Sequence, residues 1–135
     1  MSVFHSPRFL PTVMLLDAAS VLACGVLQLL VTPWMARWTG LAPALLLSSG
    51  LFLLAYATFA SWIGTRQAIP SGPVRLVIWG NLAWGVACLG LIFAGPFNLT
   101  IWGVAYLLLN VVAVTLFAAL QWVGLRQAVT ARLAT

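Results

Sequence analysis

Residues 99–125, LTIWGVAYLLLNVVAVTLFAALQWVGL, form a long apolar run without a charged side chain. A helix needs about 20 apolar residues to cross a hydrocarbon core about 30 Å thick. Three further runs of similar length precede this one, at residues 11–31, 41–63 and 76–94. The strands of an outer-membrane barrel would instead alternate apolar and polar residues over about 10 positions. We therefore predict an all-α integral membrane four-helix bundle, with residues 1–135 in a single transmembrane domain.

The composition agrees with a membrane location. Hydrophobic residues make up 64% of the chain, charged residues make up 5%, and the mean hydropathy is +1.12. A small soluble domain buries only about 60 to 70% of the surface that its unfolded chain exposes, so it could not hide this much apolar surface. The lipid bilayer is the predicted partner, whereas the absence of a dense basic cluster excludes nucleic acid as one.

The arginines predict how the chain is oriented in the membrane. The net charge of +5 comes from six arginines and a single acid, Asp17. Five of the arginines fall on the side of the predicted bundle that carries both chain ends: Arg8, Arg66, Arg75, Arg126 and Arg132. Only Arg37 falls on the opposite side. Since basic residues concentrate in cytoplasmic loops, we predict a multi-pass protein of the bacterial inner membrane with both the N- and C-termini in the cytoplasm.

Two segments of the chain indicate an internal duplication. The second run ends in WIGTRQA at residues 62–68 and the fourth in WVGLRQA at residues 122–128, with five of seven positions identical. In the first and third runs, Asp17 aligns with Asn81. We predict two tandem helix-hairpin repeats, related by a pseudo-two-fold axis along the membrane normal because each unit starts and ends on the same side. The alternative is that alanine- and leucine-rich sequence produces such matches by coincidence.

Polar residues recur at helical spacing within the runs. In the first run, Asp17, Ser20, Cys24 and Gln28 follow one another at i, i+3, i+7 and i+11, which places them on one face of a helix. The other three runs carry similar faces, and the second includes Ser49 and Tyr56. We expect all these faces to point into the bundle. The residues predicted to bind a ligand or a proton are Asp17, Ser20, Asn81, Trp84, Tyr106, Asn110 and Gln121.

Small residues also recur at helical spacing. Ala19 and Ala23 in the first run, and Ala83 and Ala87 in the third, are four positions apart. This spacing lets membrane helices approach closely. We therefore expect both pairs to lie at contacts between helices.

Asp17 is the costliest side chain of the runs to bury, because a carboxylate at the centre of a membrane helix costs about 2.5 to 3.5 kcal/mol. At 1.5 Å per residue, Asp17, Asn81 and Gln121 lie about 6 to 9 Å from the same end of the bundle and can share one layer. We predict that Asp17 accepts a hydrogen bond from Asn81 or Gln121, or is neutral part of the time. It could clasp helices, carry protons or cations, or anchor a cationic or polar ligand, and the residues leave these roles open.

Three segments resemble a group of small proteobacterial four-helix inner-membrane proteins. They are LLDA at residues 15–18, the pair Asn81 and Trp84, and LQWVGLR at residues 120–126. The resemblance covers nearly the whole chain and implies the four-helix fold, but it supplies no substrate. It also implies importance for four residues: Asp17, Asn81, Trp84 and Gln121. The layout is only superficially similar to that of the small multidrug resistance transporters, whose acid is a glutamate at a deeper position.

No catalytic constellation stands out in the sequence. The single histidine, His5, precedes the first run, and no second acid pairs with Asp17. Cys24 and Cys88 have neither zinc-site nor CxxC spacing, so we predict no metal and no cofactor.

These features favour a non-enzymatic membrane component. It would serve as an accessory or assembly subunit, or bind a small lipid-like ligand. Its candidate protein partners are a second copy of the chain or an unidentified membrane subunit. The alternative is a proton-coupled small-molecule transporter that uses Asp17, acting as an oligomer because four helices enclose little space.

Overall fold

The computed structural model of the chain describes residues 3–135, most of which are helical. A short 3-10 turn at Val3–His5 precedes five α-helices: α1 (Phe9–Leu30), α2 (Thr32–Thr39), α3 (Pro43–Gly64), α4 (Ser71–Ala94) and α5 (Ile101–Leu133). Helices α1, α3, α4 and α5 are long and apolar enough to cross a membrane. The prediction of an all-α protein with four membrane-spanning helices is confirmed.

The helix ends differ from the ends of the apolar runs. Helix α4 begins at Ser71, before the predicted start at residue 76. Pro73 lies in its first turn, where backbone N–H groups have no partner within the helix, so a proline is tolerated there. Helix α5 continues to Leu133, beyond the predicted end at residue 125, because the polar segment that follows contains neither glycine nor proline. Hydropathy marks the membrane span, whereas backbone chemistry decides where a helix ends.

The predicted connection at residues 32–40 contains a helix of its own, α2. It ends at Gly40, whose φ of 78° is the left-handed conformation that glycine adopts most readily. The backbone N–H of Thr100 donates to the carbonyl oxygen of Thr39 at 3.1 Å. A Cβ atom added at Gly103 would collide with the same carbonyl group. Helix α2 is therefore held against the beginning of α5.

The four spanning helices are arranged as two hairpins, α1 with α3 and α4 with α5. Within the first hairpin, a Cβ atom added at Gly25 would lie 3.0 Å from the carbonyl oxygen of Gly50. The hairpins meet near the chain ends, where a Cβ atom at Gly124 would lie 3.1 Å from Leu10 Cβ. We call this end of the bundle the termini side and the opposite end, which carries α2, the far side.

Each side has its own apolar core. The termini-side core contains buried side chains from all four spanning helices, among them Met14, Ile63, Val77 and Leu125. The far-side core contains Met35 of α2 packed with side chains that include Leu46 and Leu107. The two cores leave the middle of the bundle to polar groups and open space.

Most of the tryptophans lie on the outer surface of the bundle. Six of them are 45% to 67% exposed: Trp34, Trp38, Trp62, Trp79, Trp102 and Trp122. Trp102 and Trp122 are twenty residues apart on α5, which corresponds to about 30 Å along a helix. This separation matches the thickness of a hydrocarbon core, at whose edges tryptophan is enriched.

The predictions that the two alanine pairs lie at contacts between helices and that Ser20 faces inward were wrong. Ala19, Ala23, Ala83 and Ala87 are all exposed on the bundle surface, so neither alanine pair forms a tight contact between helices. Ser20 is exposed as well. Within the first hairpin, glycines rather than alanines provide the close approach, because a Cβ atom at Gly25 would lie tighter against the Gly50 carbonyl oxygen than ordinary contacts allow.

Candidate functional site

Asp17 lies at the centre of a buried polar cluster on the termini side, and its side chain is only 1% exposed. Its Oδ2 atom accepts hydrogen bonds from Gln121 Nε2 at 2.6 Å and from Asn81 Nδ2 at 3.0 Å. The Tyr56 hydroxyl lies 3.5 Å from Oδ2 and 3.3 Å from the Val77 carbonyl oxygen, so its single proton is shared between two weak acceptors. Asn81 Nδ2 also donates to Gln121 Oε1 at 3.1 Å. Both amides predicted as alternative partners of Asp17 therefore bind it together, and all four spanning helices contribute to this Asp17 cluster.

The second carboxylate oxygen of Asp17, Oδ1, differs from Oδ2 in its hydrogen bonding. Oδ1 is buried and has no hydrogen-bond partner within residues 3–135. Because Oδ2 only accepts, a proton on the carboxyl group would lie on Oδ1 and lack an acceptor. If the group is ionised, Oδ1 lacks a donor, and no arginine is among the groups that act on Asp17. Either state leaves a costly buried polar atom.

A second polar cluster lies toward the far side and links α1, α3 and α5. Gln28 Nε2 donates to the Tyr106 hydroxyl at 2.6 Å, and the Ser49 hydroxyl donates to Gln28 Oε1 at 3.0 Å. The Cys24 sulfur lies 3.1 Å from the Tyr106 hydroxyl oxygen. We call these four residues the Tyr106 cluster. Its polar atoms are paired within the chain, in contrast to Asp17.

Trp84 and Asn110 join α4 to α5 beside the Tyr106 cluster. Trp84 Nε1 donates to Asn110 Oδ1 at 3.3 Å, and Asn110 Nδ2 donates to the backbone carbonyl of Tyr106 at 2.9 Å. The ring of Trp84 stacks on Phe52 of α3, with 5.9 Å between ring centroids and 7° between planes. These contacts fix the indole ring across the space between the two hairpins.

A cavity of about 420 Å³ lies between the Asp17 and Tyr106 clusters and is lined by all four spanning helices. Most of the lining side chains are apolar, and five are aromatic: Phe52, Tyr56, Trp84, Tyr106 and Phe117. The lining also includes Leu27, Phe52 and Leu109, which are 48%, 57% and 67% exposed. The cavity therefore reaches the outer surface of the bundle at the depth of the hydrocarbon core. A second cavity of about 210 Å³ adjoins it and shares Trp84, Tyr106 and Asn110.

The structure brings most of the predicted site residues together. Six of the seven line the larger cavity: Asp17, Ser20, Asn81, Trp84, Tyr106 and Asn110. Gln121 is fully buried behind it, in the Asp17 cluster. Ser20 lies at the surface of the bundle, and its hydroxyl donates to the backbone carbonyl of Asp17 at 2.9 Å.

Among the residues of this region that sequence reasoning left out of the predicted site are Tyr56 and Phe52. Tyr56 was placed on an inward face but not in the site, and its phenol lies beside Asp17. Phe52 carried no signal, because a phenylalanine in an apolar run is indistinguishable from one that faces lipid. No group of three or more histidine, cysteine or acidic side chains that could hold a metal ion occurs within residues 3–135.

These features define the chain as a four-span helical membrane protein with one buried acid beside an apolar cavity. No family model, no curated protein and no solved structure matches the chain. Its resemblance to the proteobacterial group stays a prediction.

Proposed function

We propose that the chain is a non-enzymatic protein of the bacterial inner membrane that binds a small lipid-like ligand in the cavity between its two hairpins. The cavity of about 420 Å³ carries this proposal. Ligand sites typically measure about 300 to 1,000 Å³ and combine apolar walls with a few polar groups that fix orientation. Here the polar groups include Asp17, Asn81 and Asn110.

The rim of the cavity supports a ligand that comes from the membrane. The exposed rim side chains Leu27, Phe52 and Leu109 are apolar and belong to the lipid-facing part of the bundle. An amphipathic molecule dissolved in the bilayer would reach the cavity sideways, without crossing a layer of water. This route favours a lipid-like ligand over a polar metabolite.

The proposal includes an orientation with both termini in the cytoplasm. It rests on the distribution of arginine and on the way basic side chains lie on the termini side. The Arg66 guanidinium lies 4.2 Å from the ring centroid of the exposed Trp62, and Arg132 Nη2 donates to the carbonyl oxygen of Ile69 at 2.7 Å. Both arrangements suit the boundary between lipid and water, where aromatic and basic side chains collect.

We also propose membership in the proteobacterial four-helix group and an origin by duplication of a helix hairpin. The pairing of α1 with α3 and of α4 with α5 supports two units of like topology. The aligned residues Asp17 and Asn81 are hydrogen bonded to each other, as a pseudo-two-fold axis near the bundle centre would allow. The candidate protein partners remain a second copy of the chain or another membrane subunit.

Filling the cavity tests the proposed ligand binding. Ala113→Trp places an indole in the cavity, because Ala113 lines it. We expect wild-type protein in nanodiscs to bind at least one of decanol, decylamine and decanoate saturably, above the partitioning into empty discs. The tryptophan variant should bind that probe at least about tenfold more weakly, as measured by equilibrium dialysis.

The matched control is Val112→Trp, at the neighbouring position, where the side chain is 65% exposed toward lipid. This variant should bind the probes as the wild type does. Saturable binding that survives in Ala113→Trp, or wild-type protein that binds none of the three probes saturably, would contradict the proposed function.

A proton-coupled transporter remains the second candidate, because the only acid of the chain lies at the cavity with one oxygen unmatched. Asp17→Asn should still fold, since the amide oxygen can accept the same hydrogen bonds that Oδ2 accepts. If the chain is a transporter, this variant loses the uptake of ethidium that a proton gradient drives in proteoliposomes, while it still accumulates as folded protein. The absence of such uptake in vesicles with wild-type protein would contradict the transporter hypothesis. If Asp17→Asn fails to accumulate, Asp17 is a structural clasp between helices.

A further inference from the structure

We infer that the cavity is specific for amphiphiles that carry a protonated amine, with the ammonium group bound to Oδ1 of Asp17 and the apolar body between the aromatic rings. This inference rests on the proposed function, because it names the class of ligand for the same cavity. It rests on three observations: Oδ1 of Asp17 has no hydrogen-bond partner, no arginine lines the cavity, and several of the lining side chains are aromatic.

Residues 3–135 offer no hydrogen-bond donor to Oδ1. The donors of the Asp17 cluster, on Tyr56, Asn81 and Gln121, all converge on Oδ2. Oδ1 is buried, and it is left without a partner in the described part of the chain. Since buried polar groups are nearly always paired, a donor from outside the chain is the expected complement. Asp17 lines the cavity, so a molecule in the cavity can supply that donor.

The cavity walls offer no counter-charge to an ionised Asp17. None of the six arginines lines the cavity. The counter-charge is thus missing from the cavity walls, and a ligand with an ammonium group would supply it. A ligand carboxylate would meet Asp17 with no basic group to offset the repulsion.

An N–H group suits this position better than a quaternary ammonium. Oδ1 has almost no accessible surface, so the side chains around it must shift to admit a ligand, and only a small group that donates a hydrogen bond would fit there. A trimethylammonium head is bulky and has no N–H. The aromatic side chains of the lining, among them Trp84, Tyr56 and Phe117, provide apolar contacts for the chain of the ligand.

The test compares four probes with the same decyl chain: decylamine, decyltrimethylammonium, decanol and decanoate. Each is titrated into wild-type protein in nanodiscs at neutral pH, where the amine is protonated, and partitioning into empty discs is subtracted. We expect decylamine to bind about tenfold or more tightly than decanol, and decanoate to bind most weakly. In Asp17→Asn the advantage of decylamine over decanol should disappear.

The outcomes separate this inference from the proposed function. If decanol binds wild-type protein as tightly as decylamine does, or if decylamine keeps its advantage in Asp17→Asn, the specificity for amines is wrong and the cavity site survives. If no probe binds saturably, the proposed function itself fails. Should Asp17→Asn not fold, the ranking of the four probes on the wild type decides alone, and a quaternary ammonium equal to the amine overturns the role of the N–H group.

Discussion

Replacement of Gln121 with leucine is expected to lower the free energy of unfolding by about 2 kcal/mol. The Gln121 side chain is fully buried, and its Nε2 atom gives Asp17 the shortest of its hydrogen bonds. Hydrogen bonds between membrane helices average about 0.6 kcal/mol, but bonds to a charged group are roughly twice as strong as neutral ones. Leucine also removes one of the two acceptors of Asn81 Nδ2. Denaturation in mixed micelles measures the loss.

The matched control for this variant is Gln127→Leu on the same helix, where the side chain is partly exposed and lies outside the Asp17 cluster. Its stability should stay within about 0.5 kcal/mol of the wild type. A second step replaces both Asp17 and Asn81 with leucine in the Gln121→Leu background, because Asn81 Nδ2 donates to Asp17 and to Gln121 and would otherwise lose both acceptors. Because buried polar groups without partners cost more than apolar ones, the triple variant should regain stability relative to Gln121→Leu alone. Equal losses for Gln121→Leu and Gln127→Leu would show that the Asp17 cluster is not a clasp.

The membrane fold could be predicted from the sequence because the strongest driving force for it, the transfer of apolar side chains into lipid, acts on each run separately. An uninterrupted apolar run decides between lipid and water by itself, so the four spans were predictable from residues 11–31, 41–63, 76–94 and 99–125. Helix α2 was not predictable in this way. It is short and rich in tryptophan, and its position depends on hydrogen bonds with residues about sixty positions later in the chain.

The common depth of Asp17, Asn81 and Gln121 could also be predicted from the sequence, because depth in a membrane helix follows from counting residues. The absence of a partner for Oδ1 could not be predicted, since it depends on how the donors are distributed between the two oxygens of one carboxylate. The cavity could not be predicted either. Its volume depends on how far the two hairpins diverge between their cores, and side-chain periodicity does not report that distance.

The second large effect concerns the contact inside the first hairpin. We expect Gly25→Leu to lower the free energy of unfolding by about 3 kcal/mol, the upper part of the usual range for overpacking. A Cβ atom at this position would lie 3.0 Å from the backbone carbonyl oxygen of Gly50 and 3.1 Å from Leu53 Cβ. Backbone cannot rotate away as a flexible side chain can, so α1 and α3 must separate. Steric trapping in bicelles measures the change.

Gly90→Leu is the matched control, because Gly90 lies on the exposed side of α4 and a Cβ atom there would meet nothing within 4 Å. Leucine is the better helix former by up to about 1 kcal/mol, so this variant should be as stable as the wild type or slightly more so. The separation of α1 from α3 in Gly25→Leu should also break the hydrogen bond from Ser49 to Gln28, which joins these helices beside Gly50. Equal stability of the two variants would mean that the first hairpin does not depend on the close approach of its backbones.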